Sequence, residues 1–180
     1  MSESIRPHAS KAVVEQGYDQ IAPRYLQWAT TESHSSPRLK YLHKLLDLLP
    51  EKSRVLELGC GAGVPCTQLL ANSHSVVGND ISSVQIELAT KHVPSAEFVK
   101  GDMMKLQFER GELGAVVAFY SIIHLPREEQ SVMLGKIWAW LKNEGLVLLN
   151  LGATNNPGST NEDVRVIIFL VTAIQQSTDS

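Results

Sequence analysis

The chain has 180 residues, 43% of them hydrophobic, with a formal net charge of −3 and a pI near 6.1. That is the length of one domain, able to bury roughly 70% of its unfolded surface. Acids and bases are mixed along it, with no Lys/Arg run to track phosphates or anionic lipid, so nucleic acid and membrane partners are disfavoured.

Met1 to Pro7 lack the apolar core of a signal peptide, and Cys60 and Cys66 have no partner at metal-ligand spacing. They read as buried thiols of a cytoplasmic protein with no metal site. Ala9 to Thr30 sets Val14, Tyr18, Ile21, Tyr25 and Trp28 on one helical face, and Pro23 is expected to split the segment into two short helices. After a polar break at Ser33 to Ser36, Pro37 starts a helix behind a Ser36 cap. That helix carries Leu39, Leu42, Leu45, Leu46 and Leu49 and stops at Pro50.

From Arg54 short apolar runs alternate with amphipathic segments: strand RVLEL, a glycine loop, helix VPCTQLLAN, strand SVVGN, a helix from Ser82 to His92, and strand AEFVK. Strand AVVAFY, helix REEQSVMLGKIWAWL and strand GLVLLNL complete the series. Strands separated by helices imply right-handed crossovers and a parallel sheet covered on both faces, a doubly wound α/β fold. One domain over 1–180 is expected: N-terminal helices over 1–50, a core over 51–152 and a tail over 153–180. The stretch from Val166 to Ile174 is short of the ~20 residues that span a bilayer. Val164 to Ile174, rich in β-branched residues, is expected to turn back and pair beside the strand Gly145 to Leu151, with a helix as the alternative.

The chemistry centres on VLELGCGAGVP, where a buried strand runs into Gly59, Gly61 and Gly63 and then a helix start at Pro65. Such a loop supplies positive φ and open backbone, and free N–H groups behind it suit the anionic end of a nucleotide-like ligand. Asp80 ends the next strand, placed to accept hydrogen bonds from ribose hydroxyls; the alternative is an N-cap for the helix that follows. Asp102 and Met103 come at the third strand's end, where a carboxylate can take an adenine amino group and a thioether can cover the ring. A turn residue is the simpler reading of Asp102.

VLELGCGAG, GNDIS, GDMM and AFYSIIHLPREEQ, in this order, resemble the motifs of the class I S-adenosylmethionine-dependent methyltransferases, small-molecule type, from about Val13 to Gly152. GYDQIAPRYLQW resembles their lid helix. The resemblance implies a Rossmann-like sheet, S-adenosyl-L-methionine as cofactor, and methyl transfer to an O, N or S nucleophile of a small molecule, as in secondary metabolism. It places Glu57, Gly59, Gly61 and Gly63 around the methionine and ribose, Asp80 on the ribose, and Ile81 against adenine. Asp102 falls at the adenine amino group, Met103 on the ring, Tyr120 and Ser121 beside the methionine amine, and Tyr18 and Tyr25 over the ligand. Glu57 reads equally well as a carboxylate that receives loop N–H groups. His124, after the fourth strand where the sulfonium methyl should point, is the candidate general base; a residue that caps or abuts the helix starting near Pro126 is its structural alternative.

Two departures stand out. Leu113-Gly114 replaces an apolar-Asp pair before the fourth strand, and from Val164 the resemblance stops, so the expected pair of closing strands is incomplete. A truncated chain, read through an unspliced boundary at Val-Arg, fits that pattern. It raises a second function: a binding protein for S-adenosylmethionine or S-adenosylhomocysteine without activity, working through a partner. An uncovered fifth strand favours self-association as a homodimer or association with a complete methyltransferase. A nicotinamide dinucleotide is disfavoured, because Val64 stands where the third glycine of G-x-G-x-x-G belongs.

Overall fold

The computed structural model describes residues 9–31, 36–152 and 164–170. Helices α1 (Ala9–Thr31) and α2 (Pro37–Leu48) precede β1 (Arg54–Leu58), α3 (Cys66–Ala71), β2 (Ser75–Asp80), α4 (Ser83–His92) and β3 (Glu97–Lys100). Then come β4 (Leu113–Ala118), α5 (Arg127–Trp140), β5 (Leu141–Gly152) and β6 (Val164–Leu170). The sheet order is β3-β2-β1-β4-β5-β6; β6 is antiparallel to β5 and the other five strands are parallel. This is the Rossmann-like doubly wound plan, and the order reverses beside β1, where a crevice opens at the strands' carboxyl ends.

Alternation along the strands divides the core between two faces. Val55, Val76, Ala115, Val117 and Leu148 pack under Leu39, Leu42 and Leu45 of α2 and Leu70 of α3. Leu56, Leu58, Val116, Ala118 and Leu149 pack under Met133, Ile137 and Trp140 of α5. Because both faces are covered, the central strands read as unbroken apolar runs. The unusual Gly114 is required by packing, since a Cβ there would lie 2.9 Å from the Ser53 Cβ.

Four expectations change. Pro23 lies within α1, which is one helix from Ala9 to Thr31. Proline in a helix interior costs ~3 kcal/mol. Contacts on both sides of Pro23 offset that cost: Lys11 pairs with Asp102, Asp19 accepts from Ser82 Oγ at 2.5 Å and from the Val84 N–H at 3.3 Å, and Ala22 and Ala29 are buried. The helix turns its buried side differently from the expected face, leaving Ile21 and Trp28 44% and 49% exposed. β4 ends at Ala118, so Phe119 and Tyr120 leave the strand, and β5 begins at Leu141, ahead of Gly145.

Ser36 caps α2 as expected, accepting from the Leu39 N–H at 3.3 Å. The expected pairing of the tail is present, running from Gly152 opposite Val164 to Leu146 opposite Leu170. Ser33 to Ser35, the segment 153–163 and the tail from 171 lie outside the described residues.

Candidate active site

The turn after β1 is held by backbone. Gly59 and Cys60 donate their N–H groups to the Asn79 carbonyl at 2.7 and 3.0 Å. Gly59 has φ +69°, and a Cβ there would fall 2.4 Å from the Ser121 Cβ, so both conformation and space demand glycine. The Gly61 N–H donates to Asp80 Oδ2 at 3.0 Å, and the Ser82 N–H to Asp80 Oδ1 at 2.9 Å. Burial pushes the Asp80 carboxyl up, while N–H groups of Ser82, Gly61 and Ile81 work against that shift. The cap of α4 is Ser82, whose Oγ accepts from Gln85 N–H at 3.1 Å, with Asp80 one step behind it.

A cavity of about 650 Å³, solvent at its open mouth included, lies over these carboxyl ends. Tyr18, Tyr25, Gly59, Gly61, Asp80, Ile81, Asp102, Met103, Tyr120, Ser121 and His124 all line it. Glu57 lines an adjoining cavity, about 380 Å³ with its open mouth included, that shares Tyr25, Gly59, Gly61 and Phe119 with the first. Its carboxylate accepts from Thr67 Oγ1 at 2.5 Å. Burial drives Glu57 up to about 7, opposed by the Thr67 hydrogen bond and the Arg38 charge. Gly63 faces neither cavity; it packs on Ala89 and Val93.

At the β3 end, Asp102 accepts from the Met104 N–H at 3.0 Å through Oδ1 and from Lys11 Nζ at 2.8 Å through Oδ2. Asn79 fastens this loop to β2, its Nδ2 donating to the carbonyls of Val99 and Gly101 at 2.9 and 3.0 Å. Its Oδ1 is buried and unpartnered, and the residue lines the cavity.

The β4 end is built from strain and side chains. Tyr120 has φ +52°, a left-handed conformation uncommon outside glycine. Asn150 on β5, wholly buried, accepts the Tyr120 N–H through Oδ1 at 2.5 Å. Ser121 Oγ beside it is buried without a partner. His124 abuts the start of α5 without capping it: the cap position is Pro126, while His124 Nε2 lies 3.0 Å from the Tyr18 hydroxyl, and Tyr18 in turn meets the Tyr25 ring edge-on at 5.6 Å. Burial lowers the His124 pKa, and burial with the Asp80 charge raises that of Tyr18. A neutral imidazole and a protonated phenol result; the hydrogen bond runs from the Tyr18 hydroxyl to Nε2 in the Nδ1–H tautomer and from Nε2–H to the hydroxyl oxygen in the other.

Lys11, Asp19, Asn79 and Asn150 were not singled out by the motifs. Lys11 had a signal: it stands seven residues before Tyr18 and fourteen before Tyr25, on the same helical stripe. The others act through partners distant in sequence, which no local pattern encodes.

A 3-2-1-4-5 parallel sheet with a glycine turn after β1 and acids at the ends of β2 and β3 is the plan of the class I S-adenosylmethionine-dependent methyltransferases. The chain belongs to the methyltransferase domain family, whose model matches residues 55–145, half of its length. It is 34% identical over 127 residues to a sterol 24-C-methyltransferase of Debaryomyces hansenii, covering 66% of this chain and 33% of that one. The fold matches a TehB-like SAM-dependent methyltransferase from Corynebacterium glutamicum at a TM-score of 0.62 with 22% identity, over 84% of this chain and 79% of that one. It also matches Haemonchus contortus phosphoethanolamine N-methyltransferase 1, solved with phosphoethanolamine and S-adenosylhomocysteine, at a TM-score of 0.65 with 16% identity, over 96% of this chain and 38% of that one. The chain spans 22 to 63% of the length of the first relatives it matches.

Proposed function

We propose that the chain binds S-adenosyl-L-methionine in the larger cavity and transfers its methyl group to an O, N or S nucleophile of a small molecule, with His124 as general base. The observation that carries this is the convergence, in one cavity, of the glycine turn, Asp80, Asp102 and an uncharged imidazole. The residues suit such a cofactor: Ser121 Oγ and Asn79 Oδ1 are buried polar atoms without protein partners at the cavity wall. Asp80 keeps a lone pair on each oxygen for ribose hydroxyls. Glu57, in the adjoining cavity, is the acid for the amino group.

The cofactor supplies an electrophilic methyl on a sulfonium. What the chain adds is alignment of the acceptor, a positioning effect of up to ~7–11 kcal/mol, and a place for the acceptor's proton. As the Nδ1–H tautomer, His124 takes that proton at Nε2 once the Tyr18 hydroxyl moves off it. No charged side chain besides Lys11, Asp80 and Asp102 lines the cavity among the described residues, and these three gather at the nucleoside end. An uncharged acceptor fits the remainder, which Val14, Phe119, Tyr120 and Leu125 help to line.

No helix among the described residues is long and apolar enough to cross a membrane. A single cytoplasmic unit is part of the proposal. His124→Ala tests it: turnover should fall by roughly 10²–10⁴-fold while S-adenosylhomocysteine affinity holds. Equal turnover in both proteins would return His124 to a structural role, and no turnover in either, with affinity intact, would favour the binding protein acting through a partner.

A further inference from the structure

The nucleobase end of the cavity carries a cation that none of the motifs contains. Lys11 comes from α1, is 8% exposed, and lines the cavity. Its Nζ donates to Asp102 Oδ2 at 2.8 Å and pairs with Glu129 of α5, so one ammonium joins the first helix, the β3 exit and the last helix. Burial acts to lower its pKa, but the hydrogen bonds and charges of Asp102 and Glu129 prevail and hold it protonated. With Met104 N–H on Oδ1 and Lys11 on Oδ2, both oxygens of Asp102 are fixed in direction, and each keeps a lone pair to spare.

We propose that Lys11 is a specificity-determining positioning residue: it acts through Asp102 to fix the acceptor edge against which the nucleobase is read, and so makes the seating of α1 a condition of reading it. The inference rests on the S-adenosyl reading of the cavity. A carboxylate held in this way offers lone pairs only. It accepts a 6-amino group and opposes a 6-oxo group, whose own lone pairs would face it. Removing Lys11 frees Oδ2 to turn and leaves Asp102 and Glu129 without their shared cation, so the acceptor edge is no longer defined.

A second ion pair provides the control. Lys100 Nζ meets Glu15 Oε1 at 2.7 Å, tying α1 to β3 at the surface, and neither residue lines the cavity. If Lys11 were only a tether, the two pairs would differ in strength but not in kind.

The test is calorimetric titration of S-adenosylhomocysteine and its 6-oxo analogue S-inosylhomocysteine into the wild type, Lys11→Met, Lys11→Arg and Glu15→Gln, with Lys11→Gln in reserve if Lys11→Met fails to fold. The wild type should prefer the 6-amino ligand, and Lys11→Met should lower that preference roughly tenfold, the scale of one charge-assisted hydrogen bond. Lys11→Arg should keep most of it, and Glu15→Gln all of it. An unchanged preference in Lys11→Met, with both affinities reduced alike, would overturn the inference and leave the cofactor reading standing. No S-adenosylhomocysteine binding by the wild type would overturn both.

Discussion

The exits of β1 and β2 and the exit of β4 face the same cavity but are built by different means. At the first, glycines and a buried aspartate are held by main-chain N–H groups within a few residues of sequence or directly across a strand pair. At the second, a strained tyrosine is held by one asparagine from β5, and a buried hydroxyl is left without a partner. Backbone cradles need particular residue types at particular places, whereas side-chain props need only a partner that arrives from elsewhere in the fold. The first exit is suited to hold the part of a ligand that never changes. The second, with His124 and Tyr18 beside it, is suited to the part that reacts.

Gly59 is where the two exits touch, and it should be the most sensitive position. Gly59→Ala sets a Cβ 2.4 Å from Ser121 Cβ at φ +69°, and should cost about 3 kcal/mol or more through forced displacement and backbone strain. Gly61→Ala meets Tyr25 and Gln85 only at 3.6 and 3.9 Å, so its cost should be the left-handed backbone alone, about 1–2 kcal/mol. Urea denaturation of both variants checks the order, and equal costs would mean that the exits do not press on each other.

Asn150→Leu removes the acceptor of the Tyr120 N–H at the β4 exit and leaves that group buried, at an expected cost of ~1–3 kcal/mol. An unchanged melting temperature would show that Tyr120 holds its conformation without Asn150. Glu57→Gln should have a smaller, pH-dependent effect. The carboxyl rises from its ordinary 4.5 to about 7 in the folded chain, so the folded state binds more protons in that window and stability falls as pH rises through it. The Glu57→Gln variant would escape that loss, gaining stability over the wild type at pH 8 and hardly any near pH 4.5. Melting curves at the two pH values decide it.

The fold was legible because each parallel strand is covered on both faces, so β1, β2, β4 and β5 had to be apolar runs, and because Pro37, Pro50 and Ser82 mark helix ends. The glycine turn and the acid beside it at the candidate site were legible for a related reason: a left-handed turn beside a strand end selects glycine, and Asp80 sits one strand over. Pro23 misled because helix propensity is local, while the contacts that keep α1 continuous reach Ser82, Asp102 and Glu129. Asn150 and Lys11 were hidden for that reason too. AVVAFY reads as one strand running to Tyr120, but the strain at Tyr120 depends on where β4 ends, and strand ends are poorly marked in such a run.

The central claim is that the larger cavity is a nucleoside site for an S-adenosyl cofactor, and calorimetric titration of S-adenosylhomocysteine beside NADH tests it most directly. The account predicts saturable one-to-one binding of S-adenosylhomocysteine, weakened by ~1.5–3 kcal/mol in Asp80→Ala through the lost hydrogen bonds to a charged group, and no heat from NADH. A flat S-adenosylhomocysteine titration, or NADH bound in its place, would contradict it.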